Sequence, residues 1–252
     1  MDTLTCNQAA EQGNLPALQL ARQQGLPWSR DPAAKAAKNG HIHILQWARQ
    51  HGCPWDETTT AAAAENGHLH ILQWARQQGC PWNADTCYAA AANGHLDVLR
   101  LLHDAGCPWN KWACHVAAAN GHVDVLRLLY EKGCPWNALA CEAAALNGHL
   151  DVLRLLHDAG CPWDASACRA ATEGGHVEVL RWLLIEGAPC DSVRVWALSR
   201  HCSEVGKYRD ALDRRVLTVL LALRRVYRGI KPLYMMYILM RMRYVYIGDV
   251  LY

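Results

Sequence analysis

The tetrapeptide Gly-x-Pro-Trp stands at Gly25, Gly52, Gly79, Gly106, Gly133 and Gly160, a degenerate Gly187-Ala188-Pro189-Cys190 follows, and each copy begins 27 residues after the last. A period that never slips confines the chain to a repeat architecture, in which each unit is one supersecondary element that buries its apolar face only against its neighbours. A second marker keeps the same step in another phase. It reads Asn-Gly-His from Asn39, Asn66, Asn93, Asn120 and Asn147, then Gly174-Gly175-His176, with Gly13-Asn14-Leu15 one period ahead of the first. About seven units therefore fill residues 1–202, beginning near 1, 27, 54, 81, 108, 135 and 162, with a partial last unit from 189.

The punctuation of one unit predicts its structure. Asn83 follows Pro81-Trp82, and its equivalents Ser29, Asp56, Asn110, Asn137, Asp164 and Asp191 are all side chains that accept from the orphan N–H groups of a helix start. Ala-rich sequence follows and stops at Asn93-Gly94, where glycine takes the left-handed conformation that ends helices. The stretch from Leu96 places Leu96, Val98, Leu99, Leu101 and Leu102 on one face and Asp97 and Arg100 on the other, then stops at Gly106, and Pro108 forbids continuation. Each unit is thus helix, tight turn, helix and proline corner. On the first helix, Cys87, Ala90 and Ala91 form a core-facing i, i+3, i+4 stripe.

Read as GCPWNADTCYAAAANGHLDVLRLLHDAG, the unit resembles the ankyrin repeat, with its paired alanines, Gly-His-Leu turn and amphipathic second helix. The resemblance implies an all-α, ankyrin-like α-solenoid. The usual period is about 33 residues, and aligning both glycine markers puts the missing residues just after Asn83-Ala84, where ankyrin repeats carry a β-hairpin finger. Short corners are therefore expected in place of fingers. The shortened Gly-Cys-Pro-Trp unit is similar to arrays found in giant viruses of amoebae, pandoraviruses above all. That likeness implies a protein-binding scaffold or adaptor acting on a host protein, inside the host cell and in its cytoplasm, as a monomer.

Cysteine and histidine columns invite a chemical reading. Structural zinc sites pair cysteines two to four residues apart, whereas Cys80 and Cys87 lie seven apart, and Cys53, Cys80, Cys107, Cys134 and Cys161 supply one thiol per unit. Packed helices stand about 8–10 Å apart, too far for adjacent rungs to bridge. The twelve cysteines are expected as free thiols in a reducing compartment, since MDTLTCNQAAEQGN lacks the basic and apolar regions of a secretory leader. His41, His68, His95, His122, His149 and His176 form one column, expected to bond a neighbouring turn's backbone, although His41-x-His43 and His68-x-His70 have the look of ligand pairs. No nucleophile with an orienting partner stands at a unique position, so the chain reads as non-enzymatic, with no cofactor, metal or catalytic residue. Trp28, Trp55, Trp82, Trp109, Trp136 and Trp163 are expected at the corners, between neighbouring units.

Selectivity must then lie where the units differ. One first-helix column reads Asn7, Ala34, Ala61, Tyr88, His115, Glu142, Arg169. A second reads Leu4, Asp31, Thr58, Asp85, Trp112, Leu139, Ser166, and a third reads Glu11, Lys38, Glu65, Ala92, Ala119, Leu146, Glu173. These positions share one helical face, which by the resemblance lines the concave side. Aromatic side chains are enriched among binding hot spots, so Tyr88, Trp112, His115, Leu139, Glu142 and Arg169 are the candidate partner-binding residues.

Of 25 Lys/Arg and 23 Asp/Glu in 252 residues, ten and four lie in residues 203–252, which leaves the array mildly acidic and gives no footprint for nucleic acid. The basic tail holds four of the five methionines and six of the nine tyrosines beyond residue 226. It is expected as a C-terminal cap or a poorly ordered tail. Residues 216–223 are too short to cross a bilayer, and residues 233–252 carry Arg241, Arg243 and Asp249, costly in lipid. Peripheral membrane contact through the tail is the alternative function, and a Cys/His metal protein or enzyme ranks behind it.

Overall fold

The unit from Asn83 to Asn110 shows how local chemistry builds each hairpin in the computed structural model, which describes residues 5–28 and 31–190. The Asn83 side chain accepts from the backbone N–H groups of Asp85 and Thr86, and the Thr86 hydroxyl returns to the Asn83 N–H in a capping box. The helix ends at Asn93. Gly94 then takes φ +74°, and the N–H of His95 donates to the Ala90 carbonyl at 3.0 Å, closing a Schellman turn. The second helix ends the same way: the Cys107 N–H reaches the Leu102 carbonyl at 2.8 Å, and Gly106 has φ +71°.

This pattern yields fourteen α-helices and no strand among the described residues, an all-α solenoid of helix-turn-helix units. The chain divides into two units, residues 1–136 and 137–252. In the first unit the helices are α1 (Cys6–Glu11), α2 (Leu15–Gln23), α3 (Asp31–Lys38), α4 (Ile42–Gln50), α5 (Glu57–Glu65), α6 (Leu69–Gln77), α7 (Ala84–Ala92), α8 (Leu96–Asp104), α9 (Lys111–Ala119) and α10 (Val123–Glu131). The second holds α11 (Ala138–Leu146), α12 (Leu150–Asp158), α13 (Ala165–Glu173) and α14 (Val177–Ile185). Within the first unit, α1, α3, α5, α7 and α9 pack in succession as one layer, and α6, α8 and α10 as another. In the second, α11 packs on α13, and each closes a hairpin with its own second helix, α12 or α14. The core is small-to-large across the layers. Cys87, Ala90 and Ala91 meet Leu99 and Leu102 with essentially no exposure, and each buried leucine contributes about 1.5–3 kcal/mol. The corner Gly106–Asn110 links α8 directly to α9, so the expected short corner replaces a finger there.

Three recurring ties hold the stack, the first and third between neighbouring hairpins and the second between the two ends of a single hairpin. In the first, the imidazole Nε2–H of His68, His95 and His122 donates to the carbonyls of Lys38, Glu65 and Ala92, at 3.0, 2.9 and 3.0 Å, in the preceding repeat. The second is the corner thiol: Cys80, Cys107 and Cys134 donate to the carbonyls of Asp56, Asn83 and Asn110 at 3.5, 3.3 and 3.5 Å, and in the second unit Cys161 does the same to Asn137 at 3.5 Å. The third is the corner tryptophan, half-buried, which at Trp28, Trp55 and Trp163 meets residues of two successive second helices. The Trp28 ring lies under the Arg22 guanidinium at 4.7 Å and 6.1 Å from Trp47, and Trp55 lies under Arg49 at 4.6 Å and 5.5 Å from Trp74. Trp82 lies under Arg76, Trp109 packs at a tilt against His103, and Trp136 stacks on Tyr130. In the second unit Trp163 stacks on His157 at 4.5 Å and lies 5.7 Å from Trp182.

One expectation is corrected. Cys168 and Cys190 are joined in a disulfide, with Cα atoms 5.6 Å apart, so the cysteines are not all free thiols. The cause lies in the degenerate corner: Ala188 fills the buried place of the corner cysteine, and Cys190 stands where every other corner has tryptophan, within reach of Cys168 on α13. The Ser29 and Asp191 caps, the partial last unit beyond residue 190 and the basic tail lie outside the described residues. No described helix is long and apolar enough to cross a membrane.

Candidate functional site

The first-helix layer has one sealed side and one open side, and the candidate residues sit on the open one. In the first unit, α7 buries Thr86, Cys87, Ala90 and Ala91 and turns Tyr88 outward, 42% exposed. Its neighbour α9 buries Ala113, Cys114, Ala117 and Ala118 and leaves Trp112 44% exposed. The Trp112 indole meets His115 edge-on at 5.6 Å, and the Lys111 ammonium lies 5.4 Å from its ring centre, so the indole is held in place from two sides while its surface stays open. Tyr88, Trp112 and His115 thus occupy one face of two packed helices.

The remaining candidates belong to the second unit. Leu139 and Glu142 lie half-buried on α11 and Arg169 is exposed on α13. Glu142 and Arg169 pair with each other at 3.1 Å, and Arg169 also approaches Glu173 at 3.9 Å. The first unit repeats this lattice with Lys35 on Glu11 at 3.1 Å and Lys38 on Glu65 at 2.9 Å. Such exposed pairs contribute about 0–1 kcal/mol each. Part of the charge on the open face is therefore already spoken for by neighbouring repeats.

The thiols have their own geometry. Where the first helix carries a cysteine beside a complete corner, it donates to the corner cysteine of the same hairpin, as Cys87 does to Cys107 and Cys141 to Cys161. That bond and burial push the Cys87 and Cys141 thiols far up, while Cys107 and Cys161, which receive it, are drawn down. Burial, against a backbone hydrogen bond at Ala33, lifts Cys53 to about 11, and burial with the nearby Asp56 carboxylate lifts Cys80 to about 12. Thiols so protonated and enclosed are poor nucleophiles at neutral pH. Among the described residues no three His, Cys, Asp or Glu side chains gather where they could hold one metal ion. His41 and His43 each turn a ring nitrogen to a backbone carbonyl, of Glu11 at 3.1 Å and Gly13 at 3.2 Å.

A feature absent from the sequence-based set lies beside Tyr88. Between α5 and α7 the open face sinks into a groove of about 440 Å³ bordered by Glu57, Glu65 and Asp85. Columns read at a single repeat position do not reveal it, because a groove between two helices draws on different positions of each. Comparing the outward face of each helix with that of its successor would have found it.

Comparison with known proteins agrees with this architecture. Residues 60–140 and 86–164 match the family model "Ankyrin repeats (3 copies)". Among solved structures, the chain is similar to the human ASB11 ankyrin repeat domain, with 20% identity over 62% of this chain and 84% of that one and a TM-score of 0.53, a likeness that shows the fold alone. No curated protein matches the chain. Residues 60–164 are thus similar to ankyrin repeats, a family whose members generally mediate protein–protein interaction and are typically non-enzymatic.

Proposed function

We propose that these ankyrin repeats form a scaffold that takes a protein partner on the open face of the first helices, through Tyr88, Trp112 and His115 in the first unit, and that Leu139, Glu142 and Arg169 form a binding patch of their own in the second. The observation that carries this reading is the exposure of Tyr88 and Trp112 on adjacent helices whose opposite sides are fully sealed. Rigid aromatic surface held on a packed scaffold loses little entropy on binding. The likeness of the 27-residue Gly-Cys-Pro-Trp unit to giant-virus arrays supports a host protein as partner, met in the host cytoplasm by a monomeric chain. The mild acidity of the array favours a protein over nucleic acid.

Affinity capture from host lysate, read by mass spectrometry, tests this with the full chain and a Tyr88→Ala/Trp112→Ala variant. Loss of the partner, by roughly two orders of magnitude in affinity for two hot-spot aromatics, is expected with helical circular dichroism unchanged. Undiminished capture by the variant contradicts the proposal.

A further inference from the structure

The groove between α5 and α7 has a composition that selects its occupant. Ala61 on α5 and Ala89 on α7 leave the space open, and the Tyr88 ring stands beside it. Around this apolar floor are three carboxylates, Glu57, Glu65 and Asp85. Lys38 from α3 neutralises Glu65 at 2.9 Å. Among the described residues of the first unit's first helices, the other two lysines are committed elsewhere, Lys35 to Glu11 at 3.1 Å and Lys111 to the Trp112 ring at 5.4 Å. Two negative charges therefore remain at the rim of an apolar trough. A lysine or arginine side chain has the matching pattern, an apolar stem that lies along alanine methyls and a cationic head that stays at the polar edge. Arginine fits better than lysine, because its planar guanidinium can stack on the Tyr88 ring and fork onto a carboxylate.

We propose that this groove receives an arginine side chain from a basic, extended segment of the protein partner. The inference rests on the reading that the open face binds a protein, and it adds the partner's chemistry. Opposite charge at the rim steers the encounter, and the trough fixes the position of the side chain.

The test uses the full chain and fluorescein-labelled, amidated peptides of alternating Arg and Ala, with Lys-Ala and Glu-Ala analogues, followed by fluorescence anisotropy. The Arg-Ala peptide is expected to bind at low ionic strength, more tightly than Lys-Ala, and to weaken as salt is added; Glu-Ala is expected not to bind. Glu57→Gln/Asp85→Asn should weaken the Arg-Ala peptide by about tenfold. Asp97→Asn/Asp124→Asn, which removes the same charge from exposed positions on α8 and α10, should change it by less than about twofold. Absence of Arg-Ala binding, equal weakening by both variants, or equal binding of Glu-Ala overturns the inference. Partner capture separates the two levels. A partner lost with Tyr88→Ala/Trp112→Ala but retained by Glu57→Gln/Asp85→Asn leaves the binding face standing and sinks the arginine site, and a partner indifferent to both pairs sinks both.

Discussion

At the scale of single residues, glycines with identical backbone conformations do different work. Gly94 at φ +74° and Gly106 at φ +71° both end helices, and any side chain in that region is strained by about 1–2 kcal/mol. A Cβ on Gly106 meets nothing within 4 Å, whereas one on Gly94 would stand 3.0 Å from the His122 ring, which is held by its bond to the Ala92 carbonyl. Urea denaturation should therefore show Gly106→Ala losing about 1 kcal/mol from backbone strain, and Gly94→Ala losing at least about 1 kcal/mol more as the inter-repeat tie is disturbed. Equal losses would mean that the histidine column contributes nothing to stacking. Thr59 offers the opposite case: its hydroxyl is buried with no hydrogen-bond partner, at a position filled by alanine in α9, α11 and α13. Relieving an unsatisfied hydroxyl and gaining helix propensity, Thr59→Ala should stabilise the protein by about 1 kcal/mol, seen as a higher urea midpoint. A lower midpoint would show that the hydroxyl is bonded in solution.

At the scale of the helical hairpin, the corner tryptophan is what makes one second helix adhere to the next. Trp55 sits between the Arg49 guanidinium on α4 and the Trp74 ring on α6. Its half-buried state sets the expected loss on Trp55→Ala at about 2–3 kcal/mol, below the range for a fully buried tryptophan. A double-mutant cycle with Arg49→Gln should return a coupling of about 0.5–1 kcal/mol, and a coupling of zero would mean that the stacked pair is only adjacent. The sequence makes such hairpins legible because their signals are local: Asn83 caps, Gly94 and Gly106 stop, Pro108 turns. The column of residues that stack on the tryptophans is less legible, since it reads Arg22, Arg49, Arg76, His103, Tyr130, His157, and only a flat or polarisable surface is common to all six. The Cys168–Cys190 bond was hidden for a related reason, because a thiol at a tryptophan position looks like decay of the corner until the hairpin is folded. Of the candidate face, Tyr88 and Trp112 were visible as aromatic residues in the columns that vary from unit to unit. The acidic groove was not, because Glu57, Glu65 and Asp85 come together only when α5 packs on α7.

At the scale of the molecule, the same ties recur from hairpin to hairpin, so stability accumulates through nearest-neighbour contacts and the scaffold positions carry little information about a partner. Information is left to the open face of the first helices, where the repeats differ. That division of labour predicts a footprint. Hydrogen–deuterium exchange of the full chain, with and without the captured partner, tests it most directly. Added protection is expected in α7 and α9 and at the α5 border of the groove, with α8 and α10 unchanged; protection confined to the second helices or the tryptophan corners would contradict the account.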